Sequence, residues 1–203
     1  DSWRASSTPV TSSNITDQWL LSRLQSLLSN VTTEMTGYRL YNVVPALFEF
    51  IEDLTNWYIR LNRSRFWVEG ESEDKTAAYQ SLYQTLHALT LGMAPFAPFL
   101  AEHIYQLLLP YSPAGSDSPQ SVHLCAYPVP QAELIQPNLE AAVARMQNII
   151  LLGRQKRNQV KIKTKVPLAR LTIIHPEQGM LDEIARLEDY IKSELNVKLV
   201  EYS

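Results

Sequence analysis

Cysteine is almost missing from this chain of 203 residues: Cys125 stands alone, which excludes an intrachain disulfide framework and a cysteine-rich zinc site. Such a chain fits a reducing compartment, so a cytoplasmic location is expected. Glycine is scarce too, and none of the six falls in G-x-G-x-x-G or G-x-x-x-x-G-K-[ST], so no phosphate-cradling loop is encoded. The four histidines, His87, His103, His123 and His175, lie far apart with no H-x-x-H or H-E-x-x-H spacing, and no metal site is expected. No apolar run is long enough to span a bilayer, and the opening residues DSWRASSTPVTSSN lack the basic and apolar regions of a leader peptide. An overall basic balance is absent as well. With 18 Lys+Arg against 21 Asp+Glu the net charge is -3, so any polyanionic partner must be met by local clusters of charge.

No nucleophile stands beside a base in the sequence, and Glu49, Glu52 and Asp53 are helix-spaced carboxylates of the kind that are solvated or paired with arginine. No catalytic residue is therefore assigned, and the chain does not read as a self-sufficient enzyme.

What is present is mostly amphipathic helix. Trp19, Leu20, Leu24, Leu27, Leu28 and Val31 recur at three- and four-residue steps, predicting a first helix from Thr16 or Asp17 to about Thr36, ended by Gly37. A second helix is expected from near Asn42 to Trp67, with Pro45 in its first turn. Its projection puts Leu47, Ile51, Leu54, Tyr58 and Leu61 on one side and Asn56, Arg60, Arg63 and Trp67 almost opposite; Trp57 is also read as core. Arg65 falls on the core-facing side if the helix is unbroken, where a neighbouring Asp or Glu would pair with it.

Ser72 or Asp74 caps a third helix to Met93 with Ala78, Leu82, Leu86 and Leu89 as its stripe, and a fourth follows the prolines at 95 and 98 and ends at Pro110. Six prolines between 110 and 137 mark a long connection. A fifth helix runs from about Asn138 to Val160. Then ARLTIIHP, MLDEIARLEDYIKSEL and NVKLVEY read as strand, helix and strand. The fold class expected is mainly α: a bundle of about five helices with a small C-terminal βαβ unit. The divisions are a linker over 1–15, the bundle over 16–110, a Pro-rich connection over 111–137, a basic helix over 138–165 and the α/β unit over 166–203.

One cluster of charge stands out. Arg154, Lys156, Arg157, Lys161, Lys163, Lys165 and Arg170 place seven of the 18 basic residues in seventeen positions with no Asp or Glu among them. Such a patch suits phosphates, although a solvated helix end carries the same composition. Arg60, Arg63 and Trp67 add donors and a stacking surface of the kind that single-stranded RNA loops use.

At these residues the sequence resembles a known family. LTNWYIRLNRSRFW, preceded by DQWLLSRLQSLL and YRLYNVVPALFEFIEDL, is similar to the C-terminal helical domain of class Ia aminoacyl-tRNA synthetases, in particular the isoleucyl branch. MAPFAPFLAEHIYQLL, LGRQKRNQVKIKTKVPLARLTI and LEDYIKSELNVKLVEY extend the resemblance over Asp17 to Tyr202, in wording like that of the eukaryotic cytosolic lineage and the bacterial enzymes grouping with it. The signatures H-I-G-H and K-M-S-K-S of the family's adenylate-forming domain are absent. The resemblance implies an anticodon-binding bundle that grips the stem-loop of isoleucine tRNA, with ATP and Mg²⁺ used in a catalytic domain not among these residues, and no cofactor held here. The implied partners are that tRNA and the remainder of the synthetase, with no membrane and no DNA. The RNA-facing set it suggests is Arg60, Arg63, Trp67, Arg154, Arg157, Lys161, Lys163 and Lys165. A protein-interaction module of a synthetase complex, or the same domain of a valyl enzyme, are the alternatives.

Overall fold

A computed structural model describes residues 3–8 and 12–203. Two compact units are present, Asp1–Ile135 and Gln136–Ser203. Of the expected linker over 1–15, residues 1–2 and 9–11 lie outside the described residues.

In the first unit, α1 (Ile15–Thr36) begins one residue before Thr16 because Asn14 is the cap: its Oδ1 accepts from the Thr16 N–H at 2.9 Å. Gly37 closes the helix by donating to the Thr33 carbonyl. The buried face of α1 is the predicted one, Trp19, Leu20, Leu24, Leu27, Leu28 and Val31. It packs on α2 (Leu40–Glu52) and α4 (Glu73–Met93). Because α2 starts at Leu40, Pro45 sits at its sixth position and not in the first turn, where its ring removes a bond to the Tyr41 carbonyl on an exposed face.

The expected single helix to Trp67 is instead three pieces. After Glu52 the backbone widens into a π-helical turn, Asp53–Ile59, and a break at Asn62 precedes the short α3 (Arg63–Trp67). Burial explains the widening. Val43, Leu47, Phe50, Leu54, Tyr58 and Asn62 are all buried, and the last three are four residues apart. In a uniform α-helix eight residues at 100° overshoot two turns by about 80°, which would swing Asn62 off the core; a wider turn rotates less per residue and keeps it aligned.

Ser72 caps α4 by accepting from the Lys75 N–H at 3.1 Å. The deepest line of α4 is Ala78, Ser81, Thr85 and Leu89, while Leu82 and Leu86 are half-buried. Small residues hold the inner line because α4 is enclosed on several sides. One of those sides is the segment 3–8: Trp3 lies 5.8 Å from the Tyr79 ring and 6.0 Å from that of Tyr83, and Ser6 and Gln80 exchange two hydrogen bonds at 2.8 and 2.9 Å. His87 stacks on Tyr83 at 5.9 Å, and burial lowers its pKa, so it is a neutral edge-of-core residue at pH 7. Past a turn, α5 (Pro98–Leu108) places Ala101 and Tyr105 against Val122 of the proline-rich stretch, whose Ser121 hydroxyl and Val122 N–H both donate to Glu102 at 2.9 Å.

At the corner between α1 and α2, Arg39 donates to Glu34 at 2.7 and 3.0 Å and Asn42 adds a bond at 2.7 Å. Those hydrogen bonds, Arg39's first, pull the Glu34 carboxyl from 4.5 down to about 2. Since the folded pKa is the lower one, this corner's contribution to stability is full above about pH 4.5 and is lost as pH falls through about 2. A carbon-detected NMR titration of the Glu34 carboxyl is expected to find its midpoint near 2; a midpoint at 4.5 would show the corner open in solution.

The second unit starts with α6 (Pro137–Gln159), which packs on α7 (Gln178–Ala185) and α8 (Glu188–Leu195). Its two strands, β1 (Leu168–Ile173) and β2 (Val197–Tyr202), are parallel, in register Leu168 to Val197 through Ile173 to Tyr202. One connecting helix was expected where two occur, with Leu187 fully buried at the turn between them. Leu181, Ile184, Leu187, Ile191 and Leu195 fill the core, and a Cβ on Gly153 would stand 2.6 Å from Leu195, so glycine sets how closely α8 approaches α6. Asn196, in the left-handed region at φ 48, ends α8 and turns the chain into β2.

Candidate functional site

In the first unit the exposed cations are placed by a buried ionic knot. Asp17, in the first turn of α1, is fully buried, and its carboxylate accepts two bonds from Arg65, Nη1 at 2.8 Å and Nη2 at 2.9 Å. The Tyr58 hydroxyl donates to it at 2.7 Å and that of Ser12 at 2.6 Å. Arg65 continues to Asp74, at the start of α4, with Nε at 2.8 Å and Nη2 at 2.6 Å, and to Asn62 Oδ1 at 2.8 Å. Every N–H direction of the guanidinium is thereby used. Burial lowers the Arg65 pKa, but the hydrogen bonds to Asp17 and Asp74 more than reverse this and the net shift is upward. Burial first, then the Asp17 charge, drives the Tyr58 phenol far up, so it stays a donor at any working pH.

This knot joins α1, the π-helical turn and α4 and fixes the pose of α3 between them. Arg60, Arg63 and Trp67 then lie on the solvent side. Trp67 is 66% exposed, and the Arg63 guanidinium carbon sits 4.9 Å from its ring centroid. A cation held over an indole pre-orders both groups as a flat, positively charged platform. Trp57, taken as core, is half-buried beside the fully buried Tyr58.

In the second unit the seven clustered cations separate into different environments. Arg154 forms an ion pair with Glu194, and Arg170 pairs with Glu201 at 3.1 Å. Arg157 is 3% exposed, so its assignment to an RNA-facing surface is corrected: the side chain turns inward and Nη2 donates to the carbonyls of Lys163, at 2.7 Å, and Val166. Lys156, Lys161, Lys163 and Lys165 are exposed and have no ion-pair partner among the described residues. Lys161 takes φ 58 where the chain leaves α6, and Asn196 Nδ2 donates to the Thr164 carbonyl at 3.0 Å. The lysine loop is thus held at several points while its ammonium groups remain solvated and available for phosphate.

Sequence reasoning left Lys156 outside the candidate set, although it belongs to the same charge cluster. It also missed Asp17 and Asp74 as partners of Arg65; acidic residues in the first turns of two helices and an arginine on a core-facing side were the available signal.

The family model described as the anticodon-binding domain of tRNA ligase matches residues 17–173. The chain is similar to isoleucine–tRNA ligase of Bdellovibrio bacteriovorus, 45% identical over 192 residues that make up 95% of this chain and 18% of that protein. It is 44% identical to the cytoplasmic isoleucine–tRNA ligase of Saccharomyces cerevisiae, over 93% of this chain and 18% of the relative. With the cytoplasmic isoleucine–tRNA ligase of Mus musculus it shares 45% identity over 95% of this chain and 16% of the relative. The chain therefore spans less than a fifth of the length of these curated relatives.

Proposed function

Because the chain belongs to the anticodon-binding domain family of tRNA ligases, we propose that it is the part of a cytoplasmic isoleucine–tRNA ligase that grips the anticodon stem-loop of isoleucine tRNA. The ATP- and Mg²⁺-dependent attachment of isoleucine belongs to other regions of such a ligase, and these residues contribute RNA positioning alone. Among the described residues no helix is long and apolar enough to cross a membrane.

The observation that carries this reading is the set of exposed lysines without an ion-pair partner among the described residues. Lys161, Lys163 and Lys165, with Lys156, supply point charges to the phosphate backbone, and their binding free energy comes from released counterions. Arg60 and Arg63 offer planar donors, and the Arg63–Trp67 platform offers a face on which an unpaired loop base stacks.

Trp67→Ala is expected to weaken binding of an anticodon stem-loop RNA by about 1–3 kcal/mol, the cost of one lost base–aromatic stack. Fluorescence anisotropy with a labelled stem-loop measures it. Unchanged affinity in this variant and in Arg60→Ala/Arg63→Ala would remove the first unit's platform from the interface. An apolar protein-docking role predicts a different signature, since such binding barely responds to salt.

A further inference from the structure

Arg157 is a buried cation that the RNA-binding reading does not use. It lies in the last turn of α6, 3% exposed, and has no carboxylate partner among the described residues. Its Nη2 spans two carbonyls of the following loop, those of Lys163 and Val166, and its own carbonyl accepts from the Ile162 N–H at 2.9 Å. The Val166 N–H in turn donates to the Lys163 carbonyl at 3.0 Å. The side chain thus clasps, from inside, the loop whose outer side carries Lys161, Lys163 and Lys165 in alternate positions.

We propose that Arg157 is a positioning residue that touches no RNA and instead locks loop 160–167 in the shape that presents Lys161, Lys163 and Lys165 as one phosphate-binding row. The physical reason is entropic. A lysine row on an ordered loop reaches several phosphates at once, whereas a loose loop must first be ordered on binding. Guanidinium suits the task because one terminal nitrogen carries two hydrogens in a fixed planar fork and so serves two carbonyls at once. A lysine at this place keeps the charge but reaches the two carbonyls less well. The binding half of this inference rests on the RNA reading above; the ordering half does not.

Trypsin cleavage of the 203-residue chain, followed by mass spectrometry, tests the ordering half directly, because the loop carries three cleavable lysines. Arg157→Met is expected to speed cleavage after Lys161, Lys163 and Lys165 at least tenfold while cleavage after Lys75 and Lys192 keeps its rate. If Arg157→Met speeds cleavage everywhere, the unit has lost its fold, and Arg157→Lys decides: selective acceleration in the loop supports the lock, and no loop-selective acceleration overturns it. For the binding half, the salt dependence of stem-loop affinity is compared with that of Lys161→Gln/Lys163→Gln/Lys165→Gln. The lock predicts that Arg157→Lys, charge retained, lowers the log–log slope by about 1–2, and that Arg157→Met lowers it by about 2–3, as the triple variant does. A drop of about one in Arg157→Met with none in Arg157→Lys is the signature of a single direct phosphate contact and overturns positioning. If the triple variant leaves binding unchanged while loop cleavage still rises, the lock stands and the RNA reading fails.

Discussion

Replacing Arg65 with methionine is expected to lower the unfolding free energy of the first unit by about 3–5 kcal/mol, a large fraction of the roughly 5–15 kcal/mol that a domain possesses. The size follows from what is left behind. Asp17 is fully buried, and without the guanidinium its carboxylate keeps, among the described residues, the hydroxyls of Tyr58 and Ser12 as donors. An uncompensated charge in that place is far more costly than the loss of a surface ion pair, which is worth about 1 kcal/mol at most. The same removal takes one of two donors from Asn62 Oδ1, which keeps the Thr16 hydroxyl, and the guanidinium donors from both oxygens of Asp74. The double change Asp17→Leu/Arg65→Met removes both charges and is expected to recover a large part of the loss, since buried pairs are often replaceable by apolar residues. Urea denaturation followed by circular dichroism measures all three proteins. A single Arg65→Met variant within 1 kcal/mol of the parent would mean that the knot is solvated and does not organise the bundle.

Changing Lys161, Lys163 and Lys165 together to glutamine is expected to cut affinity for isoleucine tRNA roughly a hundredfold at about 0.1 M salt, and to lower the slope of log affinity against log salt by about 2–3. The three ammonium groups are exposed and have no ion-pair partner among the described residues, so the fold is expected to be unaffected. Arg154→Gln provides the contrast. Its charge already meets Glu194, so removing it is expected to change the salt slope by less than any one of the lysines. An unaltered slope in the triple variant would move the RNA contact elsewhere on the chain.

The helices α1 and α6 were legible because their apolar residues repeat at helical spacing on one face and their ends carry capping or breaking residues. The two strands were legible as β-branched runs. What the sequence did not reveal depends on partners distant along the chain. The π-helical turn has no glycine or proline to mark it; it lets Tyr58 donate to the Asp17 carboxylate, 41 positions away, while Asn62 Oδ1 accepts from the Thr16 hydroxyl, 46 positions away. The helix expected over the last connection breaks at Leu187 for a similar reason, since burying that leucine outweighs one more helical turn.

The candidate site divides the same way. Exposure of Arg60, Arg63 and Trp67 follows from helical projection, and all three are exposed. The basic cluster was visible as a count of charges, but composition does not say which cations are already used. Arg154 meets an acid 40 residues away, and Arg157 is spent on its own loop, so the seven reduce to four solvated lysines together with the paired Arg170.

We propose that each unit contributes its own contacts to the anticodon arm of isoleucine tRNA, the second through those lysines and the first through the Arg63–Trp67 pair. A titration of the chain with isoleucine tRNA and with a non-cognate tRNA, each at about 50 and 200 mM salt, tests it most directly. Tighter binding of isoleucine tRNA is expected at both concentrations, with both affinities falling as salt rises. Binding of neither RNA, or an affinity that does not change with salt, would contradict it.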